Sequence, residues 1–410
     1  MKYFKFELKK FILNKRNRYL LALISSLIVV YSIYTTISFS DIVGDNTTTL
    51  LQEVQTTEKS VQDNIKNTKD ILKTTKVKAE LADLNDSLNY YLQEDNIYQK
   101  QIAVINANDI NGYYRLQKEV DQLLLKQYGN QSSSGQDKFL KAEIKYIKTV
   151  QERKLDFEVI PTMQSHAFGN FHQQFIPILT SSLFIVLFAS MVSILVATSY
   201  ESKENRFYRF AGIDLQKNLI IKVLSGTLAT FAWIIISSII YFLVIGVVNG
   251  FGAWNYPAYL GNSDLKTGFT LTNLTIPNGI LDLGSILYLF FVIFFLASLG
   301  ALISVFVKRS MVVVGVIALF VMGYSMIGNV SWIISIRRFV PLSYLEPLKL
   351  FGNPSALFGK YSILIGAGYL LSLSVLFLLI SVFIIKNQKN KENLMILKIK
   401  KFKDTRHCSA

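Results

Sequence analysis

Six apolar runs free of Asp, Glu, Lys and Arg set the rhythm of the chain, at 19–39, 175–200, 223–250, 283–307, 310–336 and 361–385. A helix of about 20 residues crosses a hydrocarbon core of about 30 Å, and every run reaches that length. No water is available inside a bilayer to satisfy peptide groups, so such runs predict closed helices. The pattern predicts an all-α polytopic membrane protein with six transmembrane helices.

Between the first two runs the periodicity changes. Across 40–174, Val54, Val61, Ile65 and Leu72, then Val77, Leu81, Leu84, Leu88 and Leu92, recur at spacings of three, four or seven, which predicts long amphipathic helices. A further helix is expected over 97–127 with a break at Asn111-Gly112, and a third from Asp137, striped by Phe139, Leu140, Ile144, Ile147 and Val150. Residues 128–135, rich in Gly, Ser and Asn, form a loop by composition. The region therefore reads as a helical hairpin or small bundle continuous with the first span.

Three smaller features follow from the same pattern. Phe4, Leu8, Phe11 and Ile12 share one face of a helix over 1–18, with Lys5, Lys9 and Lys10 elsewhere, as in a helix lying among headgroups. Trp254, Tyr256 and Tyr259 open a loop over 251–281 that reads as interfacial, and Pro257 and Pro277 argue against regular helix through it. Ala297, Ser298, Gly300, Ala301 and Ser304, with Gly366 and Gly368, mark close helix packing.

Charge then orients the chain. Its net +15 is concentrated in 1–18, 200–222, 308–309 and 386–410, which hold 22 basic residues against six acids. The positive-inside rule puts these segments and both termini in the cytoplasm, so 40–174 becomes an extracellular helical domain. Anionic lipid, rather than nucleic acid, is the partner this distribution implies. The organisation is thus an amphipathic cytoplasmic helix at 1–18, the first span at 19–39, the extracellular domain at 40–174, five spans over 175–386, and a basic cytoplasmic tail at 387–410. The first apolar run lacks a cleavage pattern and reads as a retained span. Abundant Lys, Asn and Ile suggest the plasma membrane of a Gram-positive bacterium.

The search for chemistry returns absences. There is no GxxxxGK[ST] phosphate loop, no GxGxxG and no HExxH, so the chain does not read as an enzyme. The lone cysteine, Cys408, falls in the tail, and His166, His172 and His407 are too scattered for a metal site and read as polar surface. No charge-free run carries an ionisable relay, so energy for uphill transport has to come from another subunit.

One inner loop is distinctive. In 201–217, Glu201, Lys203 and Glu204 precede Arg206, Phe207 and Arg209, and Gly212 stops a short helix. Such a helix, presenting charge and aromatic edges, suits a cleft on a soluble partner. With FELKKFILNKR at the N-terminus, Lys222 leading back into the membrane and VPLSYLEPL at 340–348, the chain resembles the permease subunit of a type-2 ABC exporter. Its outer insertion is similar to the sodium-efflux and peptide or bacteriocin branches of that family. The frequent Glu-x-Gly-Thr of the coupling loop stands here as Glu204-Asn205-Arg206-Phe207.

The resemblance implies coupling through 201–217 to a separate cytoplasmic ATPase that binds ATP and Mg²⁺, with no cofactor in this chain. It also implies a second permease copy or a homologous permease. Cargo would be an amphipathic peptide, a bacteriocin or a lipid-like molecule. Arg337, Arg338 and Lys349 form a basic patch on the predicted exit side, suited to lipid phosphate or acidic cargo. Two other readings share parts of this layout: a non-transporting scaffold or receptor like those of phage infection or type VII secretion, and a four-span mechanotransmitting ABC subunit.

Overall fold

The computed structural model describes residues 2–128, 136–159, 165–202, 204–258, 261–264, 268–271, 276–328, 330–352, 357 and 361–407. Fifteen α-helices dominate the described residues. In the first half these are α1 (Lys2–Leu13), α2 (Lys15–Thr74), α3 (Lys78–Asn106), α4 (Ile110–Tyr128), α5 (Gln136–Glu152), α6 (Ala167–Asn170), a π-helical turn (Phe171–Phe175) and α7 (Ile176–Leu179). There follow α8 (Ser182–Glu201), α9 (Glu204–Phe210), α10 (Leu215–Asn249), α11 (Asn278–Phe306), α12 (Ser310–Ile327), α13 (Ser331–Ile336), α14 (Pro347–Gly352) and α15 (Ser362–His407). One antiparallel hairpin, β1 (Gly261–Asp264) and β2 (Gly268–Leu271), is the exception, in the loop where the two prolines argued against helix.

Six segments are long and apolar enough to cross a membrane: Asn17–Thr35, Ser182–Glu201, Leu215–Asn249, Asn278–Phe306, Ser310–Ile327 and Ser362–Gln388. Local chemistry moves several ends away from the charge-free runs. The second run is interrupted at Thr180-Ser181, where the Ser181 hydroxyl caps α8 by accepting from the Phe184 amide at 3.5 Å. The fifth is interrupted after Ile327, and α13 restarts beyond it.

The chain divides into two compact units, one comprising 1–28, 176–240 and 283–410, the other 29–175 and 241–282. In the second unit, Val54, Val61 and Ile65 of α2 pack with Tyr98 and Ile105 of α3, Tyr113 and Val120 of α4, and Tyr146, Ile147 and Val150 of α5. Water drives this core, at about 1.5–3 kcal/mol for each large apolar side chain buried. The expected break at Asn111-Gly112 lies slightly earlier, at Ala107–Asp109. Asn108 adopts a left-handed conformation at φ 59°, and Asp109 Oδ1 accepts from the Gly112 amide at 2.7 Å to start α4.

The leucine stripe of early α3 is only partly covered, with Val77 and Leu92 exposed. At 29 residues, α3 outruns the 19-residue α4 that pairs with it, so its buried positions are Glu94, Tyr98, Gln101 and Ile105 near the shared turn. Tyr256, expected at the interface, is instead buried and bonded to the Tyr146 hydroxyl at 3.2 Å. Trp254 is exposed, and Tyr259 lies outside the described residues.

In the first unit small residues let helices approach. A Cβ added to Gly300 would overlap the Ser193 side chain and press on Ile317, which brings α8, α11 and α12 together. Gly366 likewise faces Tyr288 and Tyr344, whereas Gly368 faces open space.

Candidate functional site

The loop after α8 folds as its residues dictate. Ser202 ends α8, and α9 occupies only seven residues. Gly212, at φ +70°, closes α9, with the Ile213 amide donating to the Tyr208 carbonyl at 2.9 Å and the Ala211 amide to that of Phe207 at 2.9 Å. This backbone pattern uses the left-handed conformation that glycine adopts freely. Asp214 then starts α10, its carboxylate 3.4 Å from the Gln216 amide.

One face of α9 is tied into a buried polar knot. Glu204 Oε1 accepts from Lys10 Nζ of α1 and lies 2.7 Å from the Tyr208 hydroxyl, while Glu204 Oε2 is 3.6 Å from Lys222 Nζ of α10. The Tyr208 hydroxyl also lies 3.0 Å from Glu7 Oε1, which the Tyr3 hydroxyl reaches at 2.9 Å. Tyr3 further approaches Asn218 Oδ1 at 2.5 Å, and Lys222 Nζ donates to Ser199 Oγ of α8. Both lysines sit over the Tyr208 ring, at 5.5 Å for Lys10 and 4.7 Å for Lys222.

Two carboxylates and two ammonium groups balance in the knot, and Glu7 and Lys222 are 0% and 1% exposed. Removing any one of these charges leaves a buried partner uncompensated. Burial and the Glu7 charge hold the Tyr3 and Tyr208 hydroxyls above the ordinary tyrosine value, and burial pulls Lys10 down.

The opposite face of α9 is free of these ties. Phe207 and Phe210, three residues apart, are 69% and 92% exposed. A seven-residue helix thus carries polar anchors on one side and two bare aromatic rings on the other.

Of the coupling-loop residues expected from the sequence, Glu204 joins the knot, together with Lys222, which the resemblance set at the return to the membrane, and Lys10 of the N-terminal helix. Glu201 serves another helix, accepting from the Ser310 amide at 3.2 Å and its hydroxyl at 2.7 Å at the N-terminus of α12. Lys203 lies outside the described residues, as do the side chains of Arg206, Arg209 and Lys349. Arg337 is half-buried and Arg338 exposed in a 3₁₀ turn, whose Arg338 carbonyl accepts from the Tyr344 hydroxyl at 2.7 Å. In α1, Phe11 is buried, Phe4 and Leu8 are half-buried and Ile12 is exposed; the deepest line runs Tyr3–Glu7–Phe11.

The expectation that the spans carry no charge is corrected. Helix α10 begins at Leu215 and α11 at Asn278, so Lys222 and Asp282 fall inside helices that extend past the charge-free runs. His172, read as polar surface, is also corrected: it is 3% exposed, and its Nδ1 lies 2.6 Å from Asp282 Oδ1. Beside it the Tyr241 hydroxyl donates to Asn170 Oδ1 at 2.6 Å. His166 does lie at the surface, 2.9 Å from Glu158, which raises its pKa. No cluster of three metal-ligating side chains occurs among the described residues.

A signal for the missed residues was present. Glu7 is the lone acid among seven basic residues in 1–18, and Lys222 abuts an otherwise uncharged span. A family model described as ABC-2 family transporter protein matches residues 18–383, a stretch that includes α8, α9, α10 and the whole polar insertion. No curated protein and no solved structure matches the chain.

Proposed function

The chain belongs to the ABC-2 family of transporter proteins and is a multi-pass membrane permease; from that premise we propose that it works as an ATP-driven exporter through α9. In this reading a cytoplasmic ATPase receives Phe207 and Phe210 in a cleft and binds the ATP and Mg²⁺ itself. Closure of the ATPases pushes α9, and the knot carries the push into three places at once: α1 through Lys10 and Glu7, α8 through Ser199, and α10 through Lys222. A rigid, charge-balanced joint suits this role because a loosely hinged helix would absorb the displacement.

The observation that carries the reading is the two-sided character of α9, anchored by Glu204 and Tyr208 with Phe207 and Phe210 bare. Both termini and α9 then lie in the cytoplasm and residues 40–174 outside, as the basic segments require. A second permease copy or homologue completes the pathway. Cargo is an amphipathic peptide, bacteriocin or lipid-like molecule, and the host a Gram-positive bacterium.

The test uses the affinity-tagged full chain extracted from its native membrane. Wild type should co-purify ATP hydrolysis, and Phe207→Ser with Phe210→Ser should lose it while the chain still inserts and melts as wild type. Unchanged ATPase recovery would reject α9 as the docking element. Glu201 and Glu204 are poor probes, since one supports α12 and the other the knot.

A further inference from the structure

Among its described residues the polar insertion buries charge of one sign, on Glu94 and Asp121. Asp121 of α4 is 1% exposed and follows Val120, which packs in one core with Tyr146, Ile147 and Val150. Gln101 of α3, fully buried, donates to Gln117 Oε1 at 3.0 Å, and Gln117 donates to Asp121 Oδ1 at 2.9 Å. That relay ends with two acceptors that no donor reaches among the described residues, Gln101 Oε1 and Asp121 Oδ2.

Among the described residues no cation meets them. Glu143 of α5 is the charged neighbour of Asp121, with Glu94 beside Tyr98 on α3 and Glu53 of α2 acting on Tyr113. Of the described lysines on the packed helices, Lys100, Lys141, Lys145 and Lys148 are exposed, and Lys118 reaches Gln151 at 3.3 Å.

A buried carboxylate with an unbonded oxygen and a like-charged neighbour is costly, whereas the neutral acid supplies the donor that the site lacks. We propose that the insertion bundle is a proton-operated latch, in which a proton held on the Asp121–Glu143 pair is part of the closed bundle and its loss loosens α4 from α5. The proton leaves to solvent as hydronium or to hydroxide, and no other reactant is involved.

The electrostatics agree in sign. Burial first, then Glu143, pushes the Asp121 carboxyl up to about 8, and burial raises Glu143 as well. A carboxyl whose pKa is raised by folding binds more protons in the folded state. Its contribution to stability is full below the ordinary Asp value and is lost as pH rises through about 8. The latch is thus closed in mild acid and released in mild alkali, independently of the transport reading.

The test is hydrogen exchange of the full-length protein in detergent at about pH 6 and about pH 9, corrected for intrinsic rates. Protection of the α4 and α5 amides should fall about tenfold or more at the higher pH, the scale of one pKa unit. Asp121→Asn or Glu143→Gln should flatten that fall. A pH-independent protection in wild type, or a fall that survives both substitutions, would overturn the latch. Should either variant fail to fold, difference infrared spectroscopy of wild type decides: a protonated carboxylic-acid carbonyl band must be present at neutral pH and vanish through mild alkali, and its absence is equally fatal.

Discussion

The polar knot beneath α9 and the carboxylate pair in the insertion meet the cost of taking ionisable groups out of water by opposite means. In the knot, Glu204 pairs with both Lys10 and Lys222, while Glu7 takes tyrosine hydroxyls and lies in the field of the two lysines, so the cluster is neutral as a set. In the insertion, Asp121 and Glu143 face acids, amides and the hydroxyls of Tyr98 and Tyr113 among the described residues, so neutrality there comes from protons. Ion pairing ties elements together while both partners keep their charge. A bound proton ties them only on the acid side of its pKa. A joint that transmits force on every cycle is served by the first device, and one that answers to its surroundings by the second.

The harshest way to break the comparison is to unbalance the knot. Lys222→Met leaves two carboxylates against Lys10 alone and should destabilise the chain by about 3–5 kcal/mol, the cost of stripping one partner from a buried pair, read as a lowered melting temperature in detergent. Adding Glu204→Gln restores the balance, and the double variant should melt above the single one. Purely additive losses would mean that the four charges do not act as a set.

A milder test applies one pH change to both regions of the wild type. Between about pH 6 and about pH 9, exchange protection should fall in α4 and α5 but hold in α1 and α9. The hydroxyls of Tyr3 and Tyr208, raised above the ordinary tyrosine value, keep their protons over that interval. Equal loss in the two regions would erase the distinction between paired and protonated burial.

How much of this could be read from the sequence depended on range. The six spans and the stripes of α2 and α5 are periodic within single helices, and Leu140, Ile144, Ile147 and Val150 all became core. The stop at Gly212 was equally local, because one left-handed residue decides it. The knot was not legible because its members lie far apart in sequence, Lys10 and Glu204 being 194 positions apart. Helical-face logic set Lys10 off the apolar face of a helix among headgroups, since a 3.6-residue period sorts apolar from polar but not paired from unpaired charge. His172 was missed for the same reason: its partner Asp282 is 110 residues away and sat just outside a charge-free run.

A smaller effect is expected from Gly212→Ala. The position has φ +70° and no atom within 4 Å of an added Cβ, so the cost is backbone strain alone, about 1–2 kcal/mol. The substitution should fray the end of α9 and weaken ATPase recovery while leaving protection of α4 and α5 as in wild type. An unchanged α9, seen as unaltered exchange at 207–213, would show that the knot rather than the glycine fixes the helix end.

The smallest structural effect belongs to Arg337 and Arg338, which stand outside both polar clusters. Glutamine keeps the backbone contact of their turn, the Tyr344 hydroxyl on the Arg338 carbonyl, so the double variant should lower the melting temperature less than Lys222→Met does. Transport is a different matter if the pair guides cargo or lipid at the exit. The double glutamine variant should then lose efflux or peptide tolerance while retaining expression and basal ATPase activity. Lysine replacements separate charge from shape: a guanidinium grips phosphate or carboxylate with two parallel hydrogen bonds, and an ammonium offers a point charge. Recovery with lysine would assign the effect to charge, and failure with lysine to the planar fork. Transport equal to wild type in the glutamine variant would reduce both arginines to anchors whose aliphatic stems lie in the interface while their charged ends reach water.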